Sequence, residues 1–167
     1  MAVYSAWARE PEGMRRALLG PDLETMRRWL AFLRIAMGLL YLYAFLTKAG
    51  AGFFGNFLKT LHSAAGDNTF DVSRRIIENW IIPNPRAFGL LFLGAELMIG
   101  ILLLVGLGTR LVALLGVLLH VLYLLGTLGG STLATLTNGL FIAALLVMFG
   151  TAGGWRWSLD ELIVNRR

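Results

Sequence analysis

Four long runs of apolar residues alternate with polar segments along the chain. The runs cover about 29–46, 87–107, 111–128 and 133–150. An α-helix crosses the hydrocarbon core of a bilayer, about 30 Å thick, in roughly 20 residues. Each run is therefore predicted to form one transmembrane helix. The predicted fold class is all-α, an integral membrane four-helix bundle.

The segments between the runs predict how the helices are connected. The link at 106–110 is long enough only for a tight hairpin, so the second and third crossings are predicted to be antiparallel neighbours. The first and second runs are separated by the long segment 47–86, which contains two amphipathic stretches, 53–65 and 72–82, and the second of these has a charged face. This pattern predicts an amphipathic surface-helix loop that lies on the membrane or caps the bundle, either as a lid or as a docking face for another subunit.

The ends of the chain and the distribution of positive charge predict one domain and its orientation. Residues 1–28 mix arginines with acidic residues and lack a continuous apolar core, which predicts an uncleaved cytoplasmic leader ending in a surface helix. Residues 29–167 then form a single membrane domain. Nine Lys and Arg residues lie on the side of both termini, against five in the long segment. This bias predicts that both termini are cytoplasmic.

The composition limits the chemistry that the chain can carry. Hydrophobic residues make up 57% of the 167 residues, and the mean hydropathy is +0.69. The formal net charge is +5, but the positive residues flank the apolar runs, so the bilayer surface is a better partner than nucleic acid. The chain has no cysteine, which excludes disulfides, iron–sulfur clusters and C-x-x-C-H haem attachment. Any redox chemistry must therefore use a borrowed group.

Each apolar run contains one conspicuous polar residue, in order Arg34, Glu96, His120 and Asn138. An ionisable side chain in hydrocarbon costs about 2.5–3.5 kcal/mol, so these side chains are expected to face the bundle interior. Glu96 lies twelve residues before residue 108 and His120 twelve after it, which predicts a common depth. The same count around residue 130 places Asn138 within about 3 Å of that depth. Arg34 lies nearer the cytoplasmic side, from where its long side chain could reach Glu96.

Small residues share helical faces with these polar residues. Stepping by three and four along each run groups Arg34 with Gly38, Glu96 with Gly100, and His120 with Gly116. Small residues on such a face let neighbouring membrane helices approach closely, so these faces are predicted to point inward.

Several interpretations of the polar layer remain open. It could be a satisfied network that determines helix register, or a site for a quinone head group or a proton relay, because a histidine and a carboxylate provide the hydrogen bond and proton exchange that quinone reduction needs. Haem is less favoured because His62, the other histidine, lies outside the runs. A metal site would need more ligands than one His and one Glu. Tyr41, Tyr43 and Tyr123 either line a pocket or pack in the core.

The order of these features resembles the DoxX family, which includes DoxD, the small membrane subunit of thiosulfate:quinone oxidoreductase. The resemblance covers about 30–163. It is carried by Arg34 with Gly38 and Lys48 in the first run, Glu96 in the second, Gly-Leu-Gly-Thr-Arg at 106–110, Asn138 in the fourth, and Gly-Gly-Trp-Arg-Trp-Ser-Leu-Asp at 153–160. It implies a multi-pass bundle in a prokaryotic cytoplasmic (inner) membrane, associated with electron transfer to quinone or with redox and sulfur metabolism. The residues that match the family are Arg34, Lys48, Glu96, Arg110 and Asn138, whereas His120 depends on the depth argument alone.

We therefore expect a DoxX-like membrane subunit of a quinone-linked oxidoreductase or electron-transfer system, with Glu96 and His120 as its catalytic pair and Arg34 tuning the carboxylate. The expected quinone-binding residues are Arg34, Tyr41, Lys48, Tyr123 and Asn138. A quinone is the expected cofactor, and no intrinsic metal, haem or iron–sulfur cluster is expected.

The expected partners are the lipid bilayer and other membrane-protein subunits, with no nucleic acid. The alternative is a non-catalytic scaffold subunit that packs against a larger respiratory or photosynthetic complex. A transporter is disfavoured because no run is interrupted at mid-depth by Gly-Pro.

Overall fold

The structure, a computed structural model, describes residues 23–50, 52–151 and 158–160. In these ranges the chain forms six helices and no strand: α1 (Leu23–Lys48), α2 (Phe53–Gly66), α3 (Asp71–Ile76), α4 (Pro85–Val105), α5 (Thr109–Thr127) and α6 (Thr132–Gly150). A short π-helical turn, Ile77–Ile81, continues α3. Four helices, α1, α4, α5 and α6, are long and apolar enough to cross a membrane. The predicted all-α four-helix membrane bundle is confirmed.

The largest difference between predicted and observed helix ends is at the start of α1. This helix begins at Leu23, inside the predicted leader, rather than at 29. Its 26 residues extend about 39 Å, further than the hydrocarbon core is thick, so one end reaches beyond the apolar layer. In that end, Arg28 Nε donates a hydrogen bond to Glu24 Oε1 at 3.4 Å. Residues 1–22 of the predicted leader lie outside the described ranges.

Glycines allow the closest contacts between helices. The helix α1 packs mainly against α4, and α5 mainly against α6. A Cβ atom on Gly38 would lie 3.0 Å from the backbone oxygen of Gly100, and one on Gly100 would lie 2.8 Å from Leu42 Cδ2. A Cβ atom on Gly116 would lie 3.0 Å from Leu145 Cδ1. These glycines of the predicted inward faces therefore lie against neighbouring helices with no room for a side chain.

The bundle has a buried apolar core and an apolar outer surface. The core residues nearest the α4–α5 turn are Ile99, Leu103, Val112, Ala113 and Met148, all buried. Large apolar side chains are also exposed on the outside of all four long helices, among them Trp29, Leu90, Leu118 and Leu140. Such an apolar exterior is what a bilayer solvates, so the chain is a multi-pass membrane protein.

The long segment between α1 and α4 folds over one end of the bundle. The side-chain amide of Asn68 donates to the backbone oxygen of Leu125 at 2.7 Å, and the Ser73 hydroxyl donates to the same oxygen at 2.9 Å. The backbone N–H of Thr69 donates to the Leu128 oxygen at 3.3 Å. The last carbonyl groups of a helix have no partner within the helix, so these bonds cap the end of α5. We call this end of the bundle the loop end.

The opposite end is closed by the α4–α5 turn and a short part of the C-terminal segment. Gly106 ends α4 with φ 70°, a left-handed conformation that favours glycine. Asp160 Oδ1 accepts a hydrogen bond from the backbone N–H of Gly108 at 2.9 Å, and its Oδ2 accepts one from the N–H of Thr109 at 3.2 Å. Asp160 therefore caps the beginning of α5, and we call this end the turn end.

Candidate functional site

Glu96, near the middle of α4, is the centre of a buried polar cluster. Its side chain is only 2% exposed. Its Oε1 accepts hydrogen bonds from Nζ of Lys48, the last residue of α1, and from the Tyr123 hydroxyl of α5 at 2.8 Å. A carboxylate can stay charged in a bundle when a cation and a hydroxyl replace its lost water. The side chains of three helices thus meet at one carboxylate.

The position of Lys48 follows from the close contact between α1 and α4. The two helices are antiparallel and approach most closely where Gly38 meets Gly100. From this contact, Lys48 lies about 15 Å and Glu96 about 6 Å towards the loop end, at 1.5 Å per residue. The long Lys48 side chain folds back towards the turn end and so reaches the depth of Glu96. Its Nζ lies 5.2 Å from the centroid of the Tyr123 ring, within cation–π range.

The second polar pair joins α5 to α6. The Nδ1 atom of His120 lies 2.9 Å from Oδ1 of Asn138. With Oδ1 as the acceptor, Nδ1 is the protonated nitrogen of the neutral imidazole, and Nε2 carries a lone pair. Both side chains are buried, as expected for polar residues that face the bundle interior.

Aromatic rings surround the two polar pairs. The His120 ring packs against Phe141 with centroids 4.4 Å apart, against Tyr41 at 5.5 Å and against Tyr123 at 5.8 Å. Phe92 packs against Tyr123 at 5.5 Å. Tyr123 therefore contacts both Glu96 and His120, and it joins the two polar pairs into one site.

Phe92 and Phe141 belong to this site but were missed by the sequence reasoning. Phe92 lies four residues before Glu96, and Phe141 lies three residues after Asn138. Residues three or four apart share a helical face, so the same step that grouped the polar and small residues would have found both rings.

Three buried polar atoms of the site have no hydrogen-bond partner among the described residues. They are Oε2 of Glu96, Nε2 of His120 and the hydroxyl oxygen of Tyr41. Buried polar groups are nearly always hydrogen-bonded, and leaving one unsatisfied costs about 1–3 kcal/mol. Three such atoms on neighbouring side chains therefore favour a polar ligand or water at this position.

Arg34 does not join this cluster. Its side chain is fully buried, and its Nη1 atom lies 2.2 Å from where a Cβ atom of Gly106 would be. Gly106 is about 15 Å from Glu96 along α4 at 1.5 Å per residue. The structure therefore places Lys48 at the Glu96 carboxylate, where the sequence had suggested Arg34, and it places Arg34 at the turn end. Tyr41, Lys48, Tyr123 and Asn138, by contrast, are brought together around Glu96 and His120.

The motifs that carry the family resemblance lie at two separate places in the structure. Arg34, the 106–110 segment and the 158–160 segment meet at the turn end, where Asp160 also donates its backbone N–H to the Gly106 oxygen at 3.2 Å. Lys48, Glu96 and Asn138 belong to the polar site. No role was predicted for Asp160 from the sequence. Its acidic side chain, in the 153–160 motif that carries the family resemblance, was the signal that could have suggested one.

The site contains the parts of an acid–base centre in an apolar, aromatic surrounding. Its unpartnered atoms are a carboxylate oxygen, an imidazole nitrogen and a phenol hydroxyl, groups that accept or donate protons. Over the described residues, His, Asp and Glu side chains form no cluster of three or more that could hold a metal ion. The arrangement can thus accept or donate protons at three side chains that lie among aromatic rings.

Comparison with known protein families gives a match. A family model described as DoxX matches residues 29–128, which is more than half of the chain and includes Arg34, Lys48, Glu96 and His120. Among curated proteins and among solved structures, nothing matches. The chain belongs to the DoxX family.

Proposed function

We propose that the protein is a membrane subunit of a quinone-linked redox system and that Glu96, His120 and Tyr41 bind the head group. The observation that carries the proposal is the set of three unpartnered polar atoms on these side chains. The Tyr41 hydroxyl can donate to a carbonyl oxygen. Nε2 of His120 and Oε2 of Glu96 can accept from hydroxyl groups. The site therefore offers partners to both the oxidised and the reduced form of a quinone.

The surroundings of these atoms support the same proposal. Phe92, Phe141 and Tyr123 provide rings against which a flat head group can pack. Lys48 and Tyr123 hold Oε1 of Glu96 and leave Oε2 for a ligand. A quinone, when bound, supplies two-electron, two-proton chemistry, and these side chains hold or move the protons. The chain has no cysteine to hold an iron–sulfur cluster, so the proposal takes the electrons from a donor outside this chain.

Binding of a quinone analogue tests the proposal. The purified protein in lipid nanodiscs is titrated with decylubiquinone and with menadione. Glu96→Gln is expected to weaken binding at least tenfold, about 1.4 kcal/mol, and His120→Gln to weaken it by a similar factor. The matched controls are Glu78→Gln and His62→Gln, on exposed residues of the long segment, which should leave the affinity unchanged. Absence of saturable binding to the wild-type protein would refute the proposal.

A scaffold role is the second candidate, because the same contacts connect all four membrane helices. Lys48, Glu96 and Tyr123 join α1, α4 and α5, and the His120–Asn138 pair adds α6. In this role the chain would pack against a larger respiratory or photosynthetic complex. Glu96→Gln and His120→Gln would then lower the yield of that complex while leaving its quinone reduction intact.

The proposed location is a prokaryotic cytoplasmic membrane with both termini in the cytoplasm. The excess of Lys and Arg on the side of the termini supports this orientation. The absence of cysteine allows a direct test with single-cysteine variants. A membrane-impermeant maleimide added to intact cells should label Lys59→Cys, at the loop end, and should not label Arg110→Cys. The reverse pattern would show the opposite orientation.

A further inference from the structure

The two ends of the bundle differ in their access to Glu96. Towards the loop end, Glu96 contacts Lys48, whose side chain is 42% exposed. Lys48 is the last residue of α1 and leads directly into the connection to α2. A lysine whose side chain is partly exposed therefore pairs with a carboxylate that is almost completely enclosed.

Towards the turn end, the core is apolar and closely packed. Ile99 and Leu103 of α4, Val112 and Ala113 of α5 and Met148 of α6 are buried and belong to one cluster. Beyond them, Arg34 fills the space beside Gly106. Within the part of the chain that the structure describes, this layer offers no chain of polar groups along which a proton could move from the turn end.

We propose that Glu96 exchanges protons with the aqueous phase on the loop side only, and that Lys48 transfers them. The Lys48 ammonium group gives one proton to the Glu96 carboxylate, which leaves a neutral amine beside a neutral acid. Water on the loop side then returns a proton to the amine. The net change is the uptake of one proton by Glu96 from the loop side, and the reverse sequence releases it there.

Among the described residues, the other groups near Glu96 do not provide an alternative route to the turn end. The titratable groups that face it are Lys48 and Tyr41 from α1, and His120 and Tyr123 from α5. Those other than Lys48 belong to the same buried aromatic cluster. The helix α2 packs near the site through phenylalanines, with Phe57 against Phe92 at 6.1 Å, which adds no proton-transfer group.

This inference rests on the proposed function in so far as it takes Glu96 as the proton-exchanging group, but its test needs no quinone. Right-side-out and inside-out membrane vesicles are treated with an impermeant amine-reactive ester, and modified lysines are identified by mass spectrometry. Lys48 should be modified only in the vesicles in which the exposed Lys59 is modified. Glu96→Gln should raise the rate at Lys48 severalfold, since the amine loses its carboxylate partner, and leave Lys59 unchanged. Modification of Lys48 only from the other side would refute the proposal.

Proton uptake can be followed directly by infrared spectroscopy after a pH jump outside sealed vesicles. The carboxyl band of Glu96 is identified by its absence in Glu96→Gln. It should respond rapidly only when the loop side faces outward. Lys48→Met should slow the response at least tenfold. Lys48→Arg should slow it as well, because a guanidinium group keeps the ion pair but does not release its proton, whereas Lys59→Met should retain the response. A rapid response from the turn side, or an unchanged rate in Lys48→Met, would overturn the proposal. The wild-type protein tests the sidedness even if Lys48→Met does not fold, and Lys48→Arg then tests the role of Lys48. A failure to bind quinone would alter neither result.

Discussion

Lys48, at the end of α1, forms an ion pair with Glu96, in the middle of α4. The pair joins the first and second membrane crossings on the loop side of the Gly38–Gly100 contact. Within the pair, the Glu96 side chain is enclosed and the Lys48 side chain is partly exposed. Both features have consequences for stability that can be measured.

Replacement of Lys48 by Met should destabilise the protein by about 1–3 kcal/mol. The loss should be below the 3–5 kcal/mol typical of a broken buried pair, because Lys48 is partly exposed and Glu96 can take up a proton. Unfolding in detergent micelles measures the change, with Lys59→Met as a control near zero. The double variant Lys48→Met/Glu96→Gln should lose less stability than the sum of the two single-variant losses, because each replacement removes the same interaction. Additive losses would show that the pair contributes nothing.

The Tyr41 hydroxyl should matter for ligand binding and not for stability. It is buried without a partner among the described residues, so Tyr41→Phe removes no hydrogen bond and should leave the unfolding free energy unchanged or slightly increased. Binding of decylubiquinone should weaken about threefold to tenfold, the value of one hydrogen bond. The control is Tyr43→Phe, since Tyr43 is 68% exposed. A clear loss of stability in Tyr41→Phe would indicate that the hydroxyl is bonded in the protein without ligand.

Alanine at Gly38 should push α1 away from α4. The added Cβ would lie 3.0 Å from the Gly100 oxygen, and backbone atoms cannot move aside as a side chain can. We expect a loss of about 1–3 kcal/mol in unfolding free energy, typical of overpacking. Gly94→Ala, on α4, is the control because a Cβ there meets nothing within 4 Å. If the two variants are equally stable, the close contact does not hold these helices together.

The turn between α4 and α5 allows a comparison of two glycines with similar backbones. Gly106 and Gly108 have φ values of 70° and 60°, so alanine is strained at both positions. A Cβ at Gly106 would also meet Arg34 at 2.2 Å, whereas one at Gly108 meets nothing within 4 Å. The unfolding free energy of Gly106→Ala should therefore be lower than that of Gly108→Ala by about 1–3 kcal/mol. Denaturant or thermal unfolding measures the difference. Equal losses would mean that backbone strain alone determines the effect.

Loss of the Asp160 carboxylate should loosen the beginning of α5. Asp160→Ala removes the acceptor for the N–H groups of Gly108 and Thr109, and we expect a cost of about 0.5–2 kcal/mol, as for other helix caps. Hydrogen exchange at these two amides should become faster. Asp71→Ala, which changes an exposed aspartate on α3, should leave that exchange unaffected. Unchanged exchange in Asp160→Ala would show that the cap is not maintained in the membrane.

The membrane crossings and the level of the polar residues could be predicted from the sequence alone. Apolar runs of about 20 residues have to cross a bilayer as helices, because backbone groups find no other partners there. A constant rise of 1.5 Å per residue then converts the distance from a turn into depth. This reasoning placed Glu96, His120 and Asn138 in the interior, where the structure has them, and grouped Gly38 and Gly100 with inward faces.

Tertiary structure decided which partners these side chains have. Depth along a helix leaves open how far neighbouring helices slide and turn relative to each other, and a long side chain reaches over several residues in either direction. The Gly38–Gly100 contact aligns α1 and α4 so that Lys48, at the very end of its helix, folds back to Glu96. Arg34, although it lies within the span, instead packs against Gly106. Asp160 reaches the α4–α5 turn only through the folded chain, because the cap and the helix it serves are far apart in sequence.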